Sequence, residues 1–248
     1  MLTTNKKNII WIENTESTNS YGFNYINKND IVKDITFIIT QKQTAGKGQQ
    51  NNKWESQDYK NLTFSIILKP QNINAGNQFL ISQIVSLSVL DYLNQYIKDV
   101  IIKWPNDIYV KNKKISGILI EHLIMGMDIN FSVCGVGINV NQNIFMSDAP
   151  NPISLNQITN KEYNLKMEIE KFYEIFENNL KSVYISPTKT NTRYLNNLLG
   201  YQKERNFIAN SVKFKGRIIG ITEFGQLIIE KKDGNIQHFA FKEVEFII

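Results

Sequence analysis

The sequence predicts an α+β protein with a mixed, largely antiparallel sheet, followed by a small C-terminal β-barrel. Short β-branched segments alternate with tight turns in the first part of the chain, and few helical crossovers separate them. After Gly200 the pattern changes to short strands separated by closely spaced turn residues, which is typical of a small barrel. We therefore expect two domains, residues 1–200 and residues 201–248.

The elements of the first domain follow from hydrophobic periodicity. A helix should follow the possible N-caps at residues 15–19, and apolar residues recur at helical spacing over residues 79–96 and 164–183. Residues 43–59 are polar and without periodicity, so a long loop is expected there. The predicted strands are residues 9–12, 35–40, 62–68, 100–104, 108–110, 115–121 and 131–140.

The C-terminal segment contains six predicted strands and several turn signals. The dipeptides Lys215-Gly216, Phe224-Gly225 and Asp233-Gly234 are expected to separate strands, because glycine accommodates tight turns. The predicted strands are residues 207–209, 212–214, 217–222, 226–230, 236–241 and 244–247.

Composition excludes several classes of protein. A single cysteine, Cys134, excludes an intramolecular disulfide framework and a thiolate zinc cluster, and is expected to be a small core residue. The 28 basic and 23 acidic residues give a net charge of +5, but they are scattered and do not indicate a nucleic-acid partner. The apolar run at residues 9–12 is too short for a signal peptide or a membrane span, so we expect a cytoplasmic protein.

The loop after the second predicted strand has the composition of a ligand-binding loop. Gly46 and Gly48 let backbone N–H groups approach an anion, while Lys47 and Lys53 supply positive charge. Trp54 offers a flat face for a ring. The spacing matches neither a Walker A loop nor a dinucleotide fingerprint, and an ordinary turn explains the loop about as well.

A second group of polar residues lies where a strand is interrupted. Pro105 should bend the backbone, so that Asn106 and Asp107 turn inward from the strand end. Asparagine can hydrogen-bond a nucleotide, and aspartate can bind Mg²⁺ or orient a ligand amine. Lys114 opens the next strand and is expected at the same site, whereas Lys111 fits a solvated hairpin turn.

A third pattern is an alternation of glycines in the last strand of the first domain. Gly135 and Gly137 leave one strand face without side chains, and Asn139 shares that face. Such a strand is weak unless something packs closely against it. We therefore expect a ligand or another backbone there.

Together these segments resemble, in order and spacing, the biotin protein ligase family over nearly the whole chain. The resemblance implies a class II synthetase-like biotin/lipoate ligase catalytic fold and an SH3-like C-terminal barrel. The combination of KWPND, a downstream lysine and GxGIN is specific to these ligases, although lipoate ligases and octanoyltransferases share the fold. The matches are Ser17-Thr18-Asn19 to the STN segment, residues 43–54 to a GRGRRGRKW-type loop, residues 103–107 to KWPND, residues 114–117 to K-[LI]-x-G, and residues 135–139 to GxGIN.

The resemblance implies an ATP-dependent ligase that forms biotinyl-5′-AMP and then biotinylates a lysine of a biotin carboxyl carrier domain. Lys114 and Lys47 would be catalytic, and Mg²⁺ would be carried mainly by ATP, with Asp107 as a possible ligand. The implied biotin-binding residues are Ser17, Thr18, Asn19, Gln43, Gly46, Lys47, Gly48, Gln49, Lys114 and Gly117, and the implied ATP-binding residues are Trp54, Asn106, Asp107 and Asn139.

The sequence departs from the family pattern in the loop, which lacks every arginine and the third glycine of GRGRRGRKW. A lysine ammonium does not replace a guanidinium at a bidentate site. This leaves open a degenerate paralogue that binds biotin without transferring it, and a lipoate or octanoyl transferase is the enzymatic alternative.

The resemblance also bears on partners. The first catalytic strand is expected at residues 9–12, which leaves no room for the N-terminal helix-turn-helix of the repressor-type ligases, so no specific DNA binding is expected. No membrane partner is expected either. A homodimer through an edge strand is possible.

Overall fold

The computed structural model describes residues 7–49, 52–147 and 151–247. Seven strands form the main sheet, in the order β1-β2-β3-β7-β6-β5-β4, with β1 parallel to β2 and every other neighbouring pair antiparallel. This confirms the mixed, largely antiparallel sheet. The strands are β1 (Ile9–Thr15), β2 (Ile35–Gln43), β3 (Leu62–Leu68), β4 (Val100–Lys103), β5 (Asp107–Val110), β6 (Lys113–Met125) and β7 (Asp128–Ile138).

Helices cover both faces of this sheet. Helix α1 (Thr18–Lys28) lies against β3 and β7 on one face. On the other face, α2 (Phe79–Asn94) packs against α4 (Leu165–Ile185), and Phe172 of α4 contacts the ring of Phe64 in β3. Twelve residues of α2 are buried, more than a one-sided stripe would require, because the helix lies between the sheet, α4 and α5 (Pro187–Asn196).

Two of the helices were not predicted from the sequence. Helix α3 (Leu155–Thr159) starts with a capping box in which Ser154 and Gln157 bond each other's backbone N–H groups. Helix α5 has Pro187 in its first turn, a position that proline favours. Both signals were present in the sequence, but α3 has about one turn and α5 contains few apolar residues.

The C-terminal segment forms a five-stranded antiparallel sheet in the order β11-β10-β9-β8-β12. Its closure into an SH3-like barrel stays a prediction. The strands are β8 (Glu204–Ala209), β9 (Val212–Ile221), β10 (Leu227–Lys231), β11 (Ile236–Phe239) and β12 (Glu245–Phe246).

The predicted turn at Lys215-Gly216 is wrong, because both residues lie inside the continuous strand β9. A Cβ on Gly216 would lie 2.7 Å from the Ile229 side chain and 2.8 Å from the Glu230 carbonyl oxygen. This glycine therefore allows close approach of β10 and does not turn the chain.

The two sheets are in direct contact. The indole N–H of Trp104 donates to the Gly225 carbonyl at 2.8 Å, and the Trp104 and Phe241 rings pack edge to face. Buried side chains of both segments belong to one continuous core. The domain division at residue 200 stays a prediction. No helix in the described part of the chain is long and apolar enough to span a membrane.

Candidate active site

A cleft of about 380 Å³ opens on the face of the main sheet that carries α1. Gly46 and Asn139 are not on its wall, but most of the predicted site residues are. The predicted residues that line it are Ser17, Thr18, Asn19, Gln43, Lys47, Gly48, Gln49, Trp54, Asn106, Asp107, Lys114 and Gly117.

One end of the cleft is formed by neutral polar groups at the start of α1. Ser17 is the N-cap of the helix, and the Gln43 side-chain oxygen accepts the Thr18 backbone N–H at 2.9 Å. Ser65 Oγ lies 2.7 Å from Thr18 Oγ1 and 2.6 Å from Asn19 Oδ1. These buried groups hold one another in fixed orientations, so this end can present a preorganised set of donors and acceptors to an uncharged polar ring.

The glycine face of β7 is covered by side chains, which corrects the expectation of a ligand or another backbone. A Cβ on Gly135 would collide with the Asn19 side chain, and one on Gly137 would collide with the indole of Trp54. Gly117 pairs with Gly137 and its Cβ would lie 3.0 Å from the same indole. Among the described residues, the buried Trp54 Nε1 has no hydrogen-bond partner, so it can donate to a bound ligand.

The other end of the cleft carries charge. Lys114 Nζ and Asp107 Oδ1 form an ion pair at 2.6 Å, with only 20% and 18% of the two side chains exposed. Lys114 Nζ also lies 5.8 Å from the centre of the Trp54 ring. The Asn106 side chain donates to the Ile118 carbonyl at 2.7 Å, which fixes the bend between β4 and β5. A partly buried lysine in this position can bind a phosphate or carboxylate oxygen.

Lys103 is a wall residue that sequence reasoning did not assign to the site, although it opens the KWPND motif. Burial lowers the pKa of Lys103, the nearby Asp107 carboxylate opposes that change, and the charge of Lys114 adds to it. Its Nζ lies 3.3 Å from Tyr109 Oη. Burial raises the pKa of Tyr109 to about 12, and Asp107 contributes in the same direction. Lys103 and Lys114 therefore both lie at the charged end of the cleft.

The glycine-containing loop at residues 43–54 has local structure that the sequence pattern did not predict. Lys47 and Lys53 form an antiparallel bridge, and Trp54 N donates to the Gly46 carbonyl at 2.9 Å. Gly46 is buried beneath this bridge, where a Cβ would collide with the Trp54 carbonyl oxygen. The Lys47 ammonium donates to Ser20 Oγ at 3.0 Å, which places this charge at the α1 end. Residues 50 and 51 lie outside the described residues.

Asn139 lies just beyond the end of β7, beneath the cleft. Its side-chain N–H donates to the Ile153 carbonyl at 3.1 Å, and its backbone N–H donates to the Ile115 carbonyl at 2.9 Å. The structure therefore brings it close to the start of β6 but not into the cleft wall. Cys134 is fully buried, and burial raises the pKa of its thiol well above the usual value. This confirms its interpretation as a core residue.

The C-terminal segment contributes a wall that no sequence motif indicated. A turn and the short strand β12 bring a mixed apolar and charged set to the mouth of the cleft, close to the residues of the KWPND motif. Packing of the C-terminal segment against Trp104 brings them close to that motif. These residues are Phe241, Lys242, Val244, Glu245 and Phe246.

Comparison with known proteins agrees with this geometry. The profile of the biotin/lipoate A/B protein ligase family matches residues 11–139, a range that contains every predicted site residue. The chain belongs to this family. It is similar to the bifunctional ligase/repressor BirA of Bacillus subtilis (strain 168), with 26% identity over 236 residues, covering 92% of this chain and 71% of the relative.

Two further similarities concern a shorter relative and a solved structure. The biotin--[acetyl-CoA-carboxylase] ligase of Mycobacterium tuberculosis is 29% identical over 113 residues, covering 44% of this chain and 41% of the relative. The structure of the biotin protein ligase from Aquifex aeolicus in complex with biotin and ATP matches with a TM-score of 0.77 and 26% identity. That match covers 98% of this chain and 99% of the other, so the similarity includes both sheets.

Proposed function

We propose that this member of the family is an ATP-dependent biotin protein ligase. It would form biotinyl-5′-AMP from biotin and MgATP and transfer biotin to a lysine of a biotin carboxyl carrier domain. The observation that carries the proposal is the Lys114–Asp107 ion pair at one end of a cleft whose other end carries polar groups that hydrogen-bond one another. The similarity to the Aquifex aeolicus enzyme, which binds biotin and ATP, supports it.

In the first step, a biotin carboxylate oxygen attacks the α-phosphorus of ATP. The new oxygen–phosphorus bond replaces the bond to the leaving diphosphate and gives a mixed anhydride. Negative charge concentrates on the α-phosphate oxygens in the transition state, so Lys114 and Lys103 are the groups that stabilise it most directly. The α1 end, at Thr18 and Gln43, holds the biotin ring and aligns the carboxylate.

In the second step, the neutral amine of the acceptor lysine attacks the carbonyl carbon of the mixed anhydride. An amide bond forms, AMP leaves with the electron pair of the broken bond, and the amine loses a proton to solvent. The C-terminal wall, including Lys242 and Glu245, lies at the mouth where the acceptor must enter. We infer that this wall contacts the carrier domain.

The residues fit a magnesium ion that arrives with the nucleotide. In residues 7–49, 52–147 and 151–247 there is no group of three His, Cys, Asp or Glu side chains able to hold a metal ion. Asp107 is a single carboxylate already paired with Lys114. Mg²⁺ commonly keeps several waters and binds through one or two carboxylates together with substrate phosphates, where it would neutralise phosphate charge. Asp107 is the candidate protein ligand.

Mass spectrometry of a biotin carboxyl carrier domain tests this function and separates the alternatives. The domain is incubated with the chain, MgATP, and either biotin or lipoate. One biotinyl group on a single lysine is the expected product. Lipoylation alone would favour the lipoate ligase alternative, and biotin binding without any modification would favour the degenerate paralogue.

A further inference from the structure

Glu55 forms a contact between the segment that follows Trp54 and the segment that follows β7. Its Oε1 accepts the Met146 backbone N–H at 2.9 Å and the Gln142 side-chain N–H at 3.0 Å. Its Oε2 accepts the Ser147 backbone N–H at 2.7 Å. One carboxylate thus holds two consecutive backbone N–H groups of a segment about ninety positions later in the chain. We call Glu55, Gln142, Met146 and Ser147 the Glu55 clasp.

The charge of Glu55 strengthens this contact. Burial alone would raise the pKa of Glu55, but the hydrogen bonds from Ser147, Met146 and Gln142 outweigh burial and hold the pKa below its usual value of 4.5. Glu55 is therefore a carboxylate at neutral pH, and hydrogen bonds to an ionised acceptor are stronger than neutral ones.

Buried amides extend the clasp into the sheet. Gln142 is fully buried, and its side-chain oxygen accepts the Asn61 side-chain N–H at 2.5 Å and the Gln57 backbone N–H at 3.0 Å. The Asn61 side-chain oxygen in turn accepts the Val140 backbone N–H at 3.0 Å. Every one of these hydrogen bonds joins the segment after Trp54 to the segment after β7.

Residues next to each segment lie close to Lys114. The later one leaves the sheet at Asn139, whose N–H donates to the Ile115 carbonyl at 2.9 Å. The chain returns where Lys114 exchanges backbone hydrogen bonds with Asn151 and Ile153, both at 2.9 Å. The earlier segment ends in Trp54, directly before Glu55, with its ring 5.8 Å from Lys114 Nζ. Glu55 therefore links the segment that begins after Trp54 to residues 142–147, which leave the sheet beside the start of β6.

We propose that Glu55 is a positioning residue for nucleotide binding, which holds Trp54 and residues 140–147 in place around Lys114. The proposal rests on the proposed function for the identity of the ligand. The Ser17 to Gln43 end contacts none of the clasp residues through the described hydrogen bonds. Loss of the clasp should therefore weaken MgATP binding and leave biotin binding unchanged.

The test compares E55Q with the parent and with the control E162Q. Glu162 is also a glutamate close to this region, but it forms an exposed surface pair with Lys60. Amide hydrogen exchange at Met146 and Ser147 should accelerate about 10- to 100-fold in E55Q, as expected for loss of hydrogen bonds to a charged acceptor. The equilibrium dissociation constant for MgATP should rise about tenfold, that for biotin should stay within about twofold, and E162Q should match the parent.

Two further comparisons keep the test decisive. Glu55→Asp retains the charge, so it should recover part of the MgATP affinity even if E55Q is poorly folded. Loss of protection from amide hydrogen exchange with unchanged MgATP affinity would overturn the proposal. An equal loss of MgATP and biotin affinity in both variants would overturn it as well. If MgATP affinity depends on Glu55 but the parent forms no biotinyl-AMP, the proposed function is refuted and the positioning role of Glu55 is retained.

Discussion

The two ends of the cleft are suited to bind a ligand through different interactions. At the α1 end, Ser17, Thr18 and Gln43 are buried or partly buried hydrogen-bonding groups that fix one another. At the KWPND end, Lys103 and Lys114 are partly desolvated cations around a single carboxylate, Asp107. Neutral groups of fixed geometry give shape and orientation, whereas desolvated cations respond to charge that develops in a reaction. We therefore propose that the first end serves recognition and the second serves catalysis.

The largest effect is expected from removing the central cation of the charged end. Lys114→Ala should lower the rate of biotinyl-AMP formation by about 100- to 1000-fold, since one well-placed electrostatic group is lost. Biotin binding should change far less. The rate is measured with labelled ATP, and Lys113→Ala, an exposed neighbour, is the control. Near-parent adenylation by Lys114→Ala would erase the distinction between the two ends.

A smaller effect is expected from displacing Trp54, whose indole lies against Gly137 and Gly117 between the two ends of the cleft. Gly137→Ala places a methyl group where the indole lies, and overpacking of this kind costs about 1–3 kcal/mol. MgATP affinity should therefore fall about 10- to 100-fold, with a shift in tryptophan fluorescence. Gly220→Ala is the control, because its Cβ would meet nothing closer than Ile228 Cδ1 at 3.5 Å. An unchanged fluorescence spectrum in Gly137→Ala would show that Trp54 does not rest there.

The charged end should also be sensitive to alkaline pH. Because burial lowers the pKa of Lys103, this lysine loses its charge at lower pH than the value of 10.5 for a free lysine. MgATP binding should weaken several-fold as pH rises through that window, and Lys103→Arg, which stays charged, should resist the change. The contribution of Lys103 to protein stability should move the other way, because the unfolded chain keeps a proton on this lysine to higher pH than the folded chain does.

Isothermal titration from pH 7.5 to 10 with parent, Lys103→Arg and the exposed control Lys113→Arg measures this dependence. The same alkaline loss in Lys103→Arg as in the parent would place the titrating group elsewhere.

The smallest effect is expected in the glycine loop. Gln49 lines the cleft with a neutral amide where the family loop pattern is rich in arginine. Gln49→Arg should slow release of biotinyl-AMP by about two- to fivefold, the difference between a charge-assisted and a neutral hydrogen bond. Rapid filtration measures release, and Gln237→Arg on exposed β11 controls for added charge. Equal release rates would show that the missing arginines do not control retention.

The main sheet was predictable because its strands are β-branched runs with clear boundaries, as at Leu62–Leu68. The bare glycine face at Gly135 and Gly137 was predictable too, because alternation alone fixes which residues share a face. What fills that face was not. Asn19 and Trp54 come from distant segments, and strand parity contains no information about which side chain packs against it.

Two other differences between the predicted and the observed structure have a related cause. Gly216 has the local sequence of a turn but serves close packing of β9 on β10, and these two uses of glycine look alike in sequence. The cleft wall at residues 241–246 is set by how the second sheet packs against Trp104. Residue patterns along one segment report local structure, whereas both of these features depend on contacts between segments.

Adenylate formation by the parent protein tests the central claim most directly. The chain is incubated with α-labelled ATP and magnesium, and with biotin, lipoate or neither. The account predicts a labelled biotinyl-5′-AMP that appears only with biotin and is consumed when a carrier domain is added. Absence of the labelled adenylate with biotin, or its appearance only with lipoate, would contradict it.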